Sequence, residues 1–269
     1  MKERLDKLIV EQKIIETREK AKAYIIGGHI TVNGETIIKP GSSVSRSAKI
    51  KVHLPNKGFV SRGGLKLEGA IKDFRIDVSD TYCLDIGAST GGFTDCLVKK
   101  GARHVIALDV GKNQIDYRLR IDPRVKVIEK FNARFIDQLE VKDHLDIVTV
   151  DVSFISVKLI LKSLISIVDE KTKIIVLIKP QFELDKPYRG FHGVVTDSNI
   201  HRQILQNLNS YFFREGYTVE DYTFSRLKGP KGNIEYFVYI RKMDTVSAVQ
   251  DKSWPDIIDR LIERSYGFF

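Results

Sequence analysis

The sequence predicts an α/β protein, a large doubly wound and mostly parallel sheet preceded by a small basic α+β unit. Three observations predict it. Apolar strand-like runs alternate with amphipathic helix-length segments from residue 60 to residue 240, the pattern of repeated βαβ units. Residues 83–95, Cys-Leu-Asp-Ile-Gly-Ala-Ser-Thr-Gly-Gly-Phe-Thr-Asp, read as strand, glycine turn and helix, and ligands bind beside such turns at the carboxyl ends of parallel strands. Residues 1–60 hold 12 Lys/Arg against 6 Asp/Glu, which is +6 of the net +9.

A chain of 269 residues suits one large domain and one small one. Its 42% hydrophobic and 29% charged content is ordinary for a soluble globular protein. Basic charge gathered in a small terminal unit predicts a polyanionic partner, nucleic acid first. The plainer alternative is a solubility surplus. Two cysteines, Cys83 and Cys96, without metal-type spacing predict a reducing compartment, no disulfide framework and no metal. Charge from Lys2 onward predicts no signal peptide. No run reaches the length of a membrane span, and Leu159 to Val168 contains Lys162, so a cytoplasmic protein is expected.

Taken in order, residues 2–12 read as a short helix with Leu5, Leu8 and Ile9 on one face. Thr17 caps a second helix that carries Ala21, Ala23, Ile25 and Ile26 and stops at Gly27-Gly28. Asn33-Gly34 between β-forming runs is a hairpin signal. Lys39-Pro40-Gly41 turns the chain, Ala48 to Leu54 is a strand, and Pro55 to Gly58 is a linker. Residues 60–74 form a helix with a buried stripe of Leu67, Ala70, Ile71 and Phe74, and Lys66 lies one residue off that stripe. After the glycine turn come a strand (103–108), a short helix (113–119) and a strand (125–129). Asn132-Ala133-Arg134 opens a helical segment, and a strand (145–150) then ends in Asp151. Residues 157–168 are apolar nearly all round, hence a well-buried helix. A strand (173–178) ends in Lys179, and a polar loop (180–196) with Arg189 and His192 leads to a long helix (198–215). Strands 217–224 and 234–240 close the sheet as a hairpin. Trp254, Ile257, Ile258, Leu261 and Ile262 recur at helical spacing in a tail that packs on the body or on a partner.

The glycine spacing departs from the dinucleotide fingerprint, and no Gly-Lys-Ser/Thr follows as a Walker loop requires. It resembles the Asp-x-Gly-x-x-x-Gly-Gly loop of S-adenosylmethionine enzymes. That resemblance places Asp85, Gly87, Ser89, Gly91, Gly92 and Phe93 around the amino-acid end of the cofactor. Asp109 would hold the ribose hydroxyls, since a carboxylate accepts two such donors. Asn132 and Ala133 would flank the adenine, although Asn132 reads equally well as a helix cap. A ligand-free structural turn is the alternative for the whole loop.

Asp151, Lys179 and Glu235 interrupt apolar contexts where inward strands are expected to end, and Lys66 joins them from the preceding helix. Charge at the ends of buried strands is costly unless the groups pair or act. The four match the Lys-Asp-Lys-Glu tetrad of ribose 2′-O-methyltransferases of the FtsJ (RrmJ) type. Residues 2–54 resemble the αL RNA-binding module of ribosomal protein, pseudouridine synthase and tyrosyl-tRNA synthetase families, which would turn Arg4, Arg18, Lys20, Lys22 and Lys39 toward phosphates. The whole chain resembles the TlyA family, haemolysin-named rRNA 2′-O-methyltransferases acting on cytidine. The matching segments are SRGGLKLEGA, LDIGASTGGFTD, DVSFIS, LIKPQFE and KGNIEYF. In the linker the family pattern has a Trp where this chain has Gly58-Phe59.

The resemblance implies a Rossmann-like class I methyltransferase domain with a seven-stranded, mostly parallel sheet (61–243). A small N-terminal α+β RNA-binding domain (1–54), a linker (55–60) and a helix-bearing tail (244–269) complete the expected organisation. It implies methyl transfer from S-adenosylmethionine to a ribose 2′-hydroxyl, with ribosomal RNA or ribosomal subunits as partner and no membrane role. Lys179 would be the base; a free lysine, with a pKa near 10.4, is protonated at neutral pH, burial and the nearby Lys66 would lower that value, and Asp151 and Glu235 would orient the amine and oppose the shift. Three other readings stay open from sequence: an RNA-binding assembly factor with weak transfer, a membrane-active haemolysin, and a small-molecule methyltransferase.

Overall fold

The computed structural model describes every residue except 1, 27–28, 53–57, 142, 185, 187, 189, 230 and 245–252. The expected helix stop at Gly27-Gly28, the linker residues Pro55 to Lys57, and Arg189 therefore lie outside the described residues.

The N-terminal unit runs β1 (Lys2–Arg4), α1 (Leu5–Glu11), α2 (Arg18–Ile26), β2 (Ile30–Val32), β3 (Glu35–Thr36), β4 (Ser43–Ser45) and β5 (Ile50–Val52). The expected first helix is thus split. Its leading residues form β1, which pairs antiparallel with β4, Glu3 opposite Val44. Three-residue strands carry too little periodicity to be read locally, because their partners supply the pattern. Thr17 does cap α2, accepting from the Lys20 amide at 3.2 Å. The Asn33-Gly34 turn joins β2 to β3 with φ of +53° and +93°, the positive values that a type I′ turn requires. Leu5, Leu8, Ile9, Ala21, Ile25 and Ile30 form this unit's own core.

The larger unit begins with α3 (Arg62–Asp73) and continues as β6 (Tyr82–Ile86), α4 (Gly92–Lys99), β7 (His104–Leu108), α5 (Tyr117–Arg120) and β8 (Val125–Ile128). A 3₁₀ segment (Ala133–Gln138), β9 (Ile147–Val150), α6 (Lys158–Leu164) and β10 (Lys173–Ile178) follow. Then come α7 (Pro180–Glu183), α8 (Ser198–Arg214), β11 (Tyr217–Phe224), β12 (Tyr236–Lys242) and α9 (Trp254–Phe268). The sheet order is β11-β12-β10-β9-β6-β7-β8, and β12 runs antiparallel to both neighbours. Alternation along the strands divides two cores. In β10, Ile174, Val176 and Ile178 face α6, α8 and α9, while Ile175 and Leu177 face α3 and α4.

Four expectations are corrected. The helix expected at 113–119 shrinks to α5, because Asp116 caps it, accepting from the Arg118 amide at 2.9 Å, and Asn113 sits at φ +58°. The helix expected at 157–168 shrinks to α6, and Leu159 is exposed although apolar. The expected loop at 180–196 opens with the short helix α7. The last strand starts two residues later than expected. The tail packs on the body: α9 buries Trp254, Ile258, Leu261 and Ile262 in the same core as α8 and β11. Among the described residues no helix is long and apolar enough to cross a membrane.

Gly58-Phe59-Val60, the near end of the linker, is fastened to α4. Asp95 accepts the Val60 amide at 2.7 Å, and Lys99 donates to the Gly58 carbonyl at 2.8 Å. Phe59 presses on the first turn of α3 so closely that a side chain at Gly64 would overlap its ring.

Candidate active site

A cavity of about 810 Å³ opens at the carboxyl edge of the parallel strands. The β6–α4 loop forms one wall. Gly87, at φ +85°, packs on the Asp151 backbone so tightly that a Cβ would overlap the Asp151 carbonyl oxygen. That contact brings the glycine loop against the end of β9. Gly87, Ser89, Gly92 and Phe93 all line the cavity.

The other residues expected at the cofactor stand around this loop and do not line the cavity. Gly91 caps α4 at φ +93° against Leu119 and Ile115. Asp85 is fully buried beneath the loop and accepts from Thr94 at 2.6 Å and Thr149 at 2.8 Å. Burial pushes its carboxyl up to about 6, with the two hydroxyls opposing the shift. It ties β6 to α4 and β9. Asp109 ends β7 at the rim, where it accepts the Ser89 amide at 2.8 Å and the Gly111 amide at 2.6 Å. A carboxylate has about four lone-pair sites, so capacity for hydroxyl donors is left. Asn132 caps the 3₁₀ segment that Ala133 begins, accepting from the Arg134 amide at 3.1 Å. The cap reading of Asn132 is therefore what its side chain does here. Phe131 donates to the Asp109 carbonyl at 3.1 Å, which keeps this corner beside Asp109.

The four charged residues line the same cavity as two ion pairs. Lys179, after β10, lies 2.5 Å from Asp151, after β9. Lys66, from α3, lies 2.5 Å from Glu235. Glu235 precedes β12 rather than ending a strand, and antiparallel β12 starts at the edge where β9 and β10 finish, with Tyr236 opposite Ile178. The lysines are only 10% and 12% exposed. Burial pushes Glu235 above the usual carboxylate range, opposed chiefly by Lys66.

Several residues of this cavity escaped the sequence reading. The Ser153 hydroxyl accepts from Lys179 at 2.8 Å. Phe154 has φ +64°, uncommon for a bulky residue, is 91% exposed, and lies 5.1 Å from the Phe182 ring. Both belong to DVSFIS, a segment singled out only for its acid. Buried Asn233 holds the 190–196 loop, accepting the Val195 amide at 2.9 Å and donating to the Gly193 carbonyl at 2.8 Å. No local pattern signals such contacts, which join distant parts of the chain.

In the N-terminal unit the expected cations sit differently. Arg4 and Arg18 both contact the fully buried carboxylate of Asp6, at 3.0–3.1 Å, while remaining 53% and 46% exposed. Lys20 pairs with Glu16 at 3.1 Å. Lys39 is exposed beside its turn and Lys22 is half-buried.

Comparison with known proteins places this geometry. Residues 59–242 match the FtsJ-like methyltransferase family, and residues 3–50 match the S4 domain. Hemolysin A of Brachyspira hyodysenteriae is 41% identical over 237 residues, covering 88% of this chain and 98% of that protein. The 16S/23S rRNA (cytidine-2′-O)-methyltransferase TlyA of Mycobacterium tuberculosis is 36% identical over 260 residues, covering 96% and 97%. A hemolysin-named solved structure from Streptococcus thermophilus superposes with a TM-score of 0.71 at 36% identity, covering 99% of this chain and 97% of the other. The chain belongs to the TlyA family of FtsJ-like methyltransferases, with an S4 domain in front.

Proposed function

We propose that this member of the TlyA family methylates a ribose 2′-hydroxyl of ribosomal RNA, on a cytidine, with S-adenosylmethionine as donor. The observation that carries the reading is the convergence of Lys66–Glu235 and Lys179–Asp151 on the one cavity that the glycine loop also lines. The relative named for cytidine 2′-O-methylation supports the substrate, and the S4 domain supports an RNA partner. On this reading residues 1–54 bind RNA, 55–60 link, 61–243 catalyse, and 244–269 are a tail whose helix α9 braces the catalytic core. The reaction belongs in the cytoplasm with the ribosomes.

The residues present fit that cofactor. Gly87, Ser89, Gly92 and Phe93 line the cavity, and the missing side chain at Gly87 lets this loop close on the Asp151 backbone. Asp109 takes the ribose, Asn132 and Ala133 flank the adenine, and Asp85 and Gly91 hold the loop in shape. Bound there, S-adenosylmethionine supplies a methyl group on a positively charged sulfur. The ribose 2′-hydroxyl that receives the methyl group would give up its proton to the Lys179 nitrogen, from which it would pass to water. Lys179 is the base, Asp151 holds it, and Lys66 with Glu235 fixes the neighbouring wall. Much of the rate comes from holding oxygen, methyl and sulfur in line. Exposed Phe154 offers a ring on which a base can stack. Arg4, Arg18, Lys20, Lys22 and Lys39 contact phosphates and set the register of the RNA.

The test is transfer of tritiated methyl from S-adenosylmethionine to separated ribosomal subunits, with Lys179→Ala as control. Label on rRNA at one ribose, resistant to alkaline cleavage and absent with the variant, is expected. No label on either subunit from protein that binds the cofactor would overturn the reading in favour of an RNA-binding assembly factor.

A further inference from the structure

Lys179 has two neighbours of different kinds. Asp151 supplies opposite charge at 2.5 Å, but among the described residues its Oδ1 makes no contact with hydrogen-bond geometry. Charge attraction sets distance and only weakly sets direction. The Ser153 hydroxyl, by contrast, takes a directed N–H from Lys179 at 2.8 Å, and hydrogen bonds weaken steeply when misaligned. A general base must aim its lone pair at the proton it removes. Once the Lys179 ammonium has given up a proton to act as base, the amine keeps two N–H bonds and one lone pair in tetrahedral array, so fixing an N–H restricts where the lone pair can face.

The segment bearing Ser153 is itself held. Phe154 at φ +64° turns the chain there, and its ring meets Phe182 on α7, which directly follows Lys179. Glu183 at the end of α7 accepts from the Ser156 hydroxyl at 2.6 Å and the Val157 amide at 2.8 Å. The loops after β9 and β10 are thus joined by Lys179–Ser153, Phe154–Phe182 and the bonds of Glu183, in that order along both segments. A non-glycine residue in a sparsely populated backbone region persists only where surrounding contacts over-determine it.

We infer that Ser153 is a positioning residue of the transfer reaction. Its hydroxyl accepts from Lys179 and so sets the direction in which the amine faces the ribose hydroxyl, and Glu183 keeps the two loops in register. The inference rests on the methyl-transfer reading proposed above. It assigns work to the DVSFIS and LIKPQFE segments beyond their charged members.

The experiment compares wild type, Ser153→Ala and Ser153→Thr by turnover on ribosomal subunits, by calorimetry with S-adenosylmethionine, and by crystal structure. Ser153→Ala is expected to lower kcat by roughly 10–100-fold, the scale of a misdirected base. KM for RNA and cofactor affinity should stay within about twofold, and Ser153→Thr, which keeps a hydroxyl, should recover most of the rate. In the Ser153→Ala crystal the Lys179 amine should leave its wild-type position. Undiminished kcat in Ser153→Ala, a loss confined to KM, or a failure of Thr to rescue would overturn the inference. Wild-type protein that labels no RNA would instead sink the methyl-transfer reading. In that event an unmoved Lys179 amine in the Ser153→Ala crystal overturns the positioning claim, and a displaced one upholds it.

Discussion

The two units of this chain use cation–carboxylate pairs in opposite ways. In the N-terminal unit the acid is inside: Asp6 is fully buried, and Arg4 and Arg18 reach it from the surface with about half their side chains in solvent. At the edge of the large sheet the cations are inside as well, since Lys66 and Lys179 are nearly buried against Glu235 and Asp151. Burying both partners is costly and gives little net stability, which suits groups kept for chemistry. Burying only the acid fixes two guanidiniums while leaving N–H donors facing outward, which suits a surface that meets phosphates. A fully exposed pair would do neither, because solvent weakens it and side-chain entropy opposes it.

That contrast can be broken at each end, and the largest effect belongs to the buried pair. Lys179→Ala should lower methyl transfer by about 10²–10⁴-fold, the range of a lost general base, with cofactor affinity unchanged by calorimetry. A variant with half the wild-type turnover would show that the edge is not built for proton transfer. Next comes the backbone beneath it. Gly87→Ala places a Cβ on the Asp151 carbonyl, so loop and strand end must part, and cofactor affinity should fall by about 10–100-fold, or 1.4–2.8 kcal/mol. Titration showing unaltered affinity would mean that the loop can shift at no cost.

On the other side of the comparison the effects are smaller and salt-dependent. Replacing Arg4 and Arg18 together by Ala should weaken rRNA binding by about tenfold at low salt and flatten the slope of log affinity against log salt by about 1–2. An unchanged slope would show that these arginines serve only Asp6. Binding measured over a salt series decides between the two.

The smallest effect sharpens the contrast between two buried aspartates. Arg4, through its hydrogen bond, holds the Asp6 carboxyl below its ordinary value of 3.8. Its contribution to stability is therefore present above that value and is lost as pH falls through the lowered one. Asp85 has the opposite sign. Burial pushes it from 3.8 up to about 6, so its contribution is full below pH 3.8 and is lost as pH rises through 6. Asp85→Asn should remove the downward stability trend between pH 4 and 6, followed by chemical denaturation across that range. A trend that persists in the variant would assign it to other groups.

Much of this architecture was legible in the residues. The stripe of Leu67, Ala70, Ile71 and Phe74 announced α3 and left Lys66 beside its buried face. β10 and β11 fell where their apolar runs lie, and Asn33-Gly34 turned the hairpin. These features depend on neighbours a few residues away, and local backbone and solvent preferences suffice for them. The short strands β1 and β4 escaped because each takes its shape from the other, 41 residues distant, as Glu3 opposite Val44 shows. The end of α6 and the exposure of Leu159 escaped because apolar character states a preference for burial, while the available neighbours decide how much is granted.

The candidate site divides along the same line. The sequence by itself determined which chemical groups are present: a lysine on the helix that opens the large unit, and a lysine, two acids and a glycine turn beside predicted strands. Only the tertiary structure decided that Lys66 pairs with Glu235 and Lys179 with Asp151, that Ser153 rather than the acid gives Lys179 its directed bond, and that Arg4 and Arg18 share one buried carboxylate. The Lys66–Glu235 contact spans 169 positions in sequence. Pairing across such a distance is settled by strand order and by the reversed direction of β12, and these follow from packing the whole sheet rather than from any stretch of it.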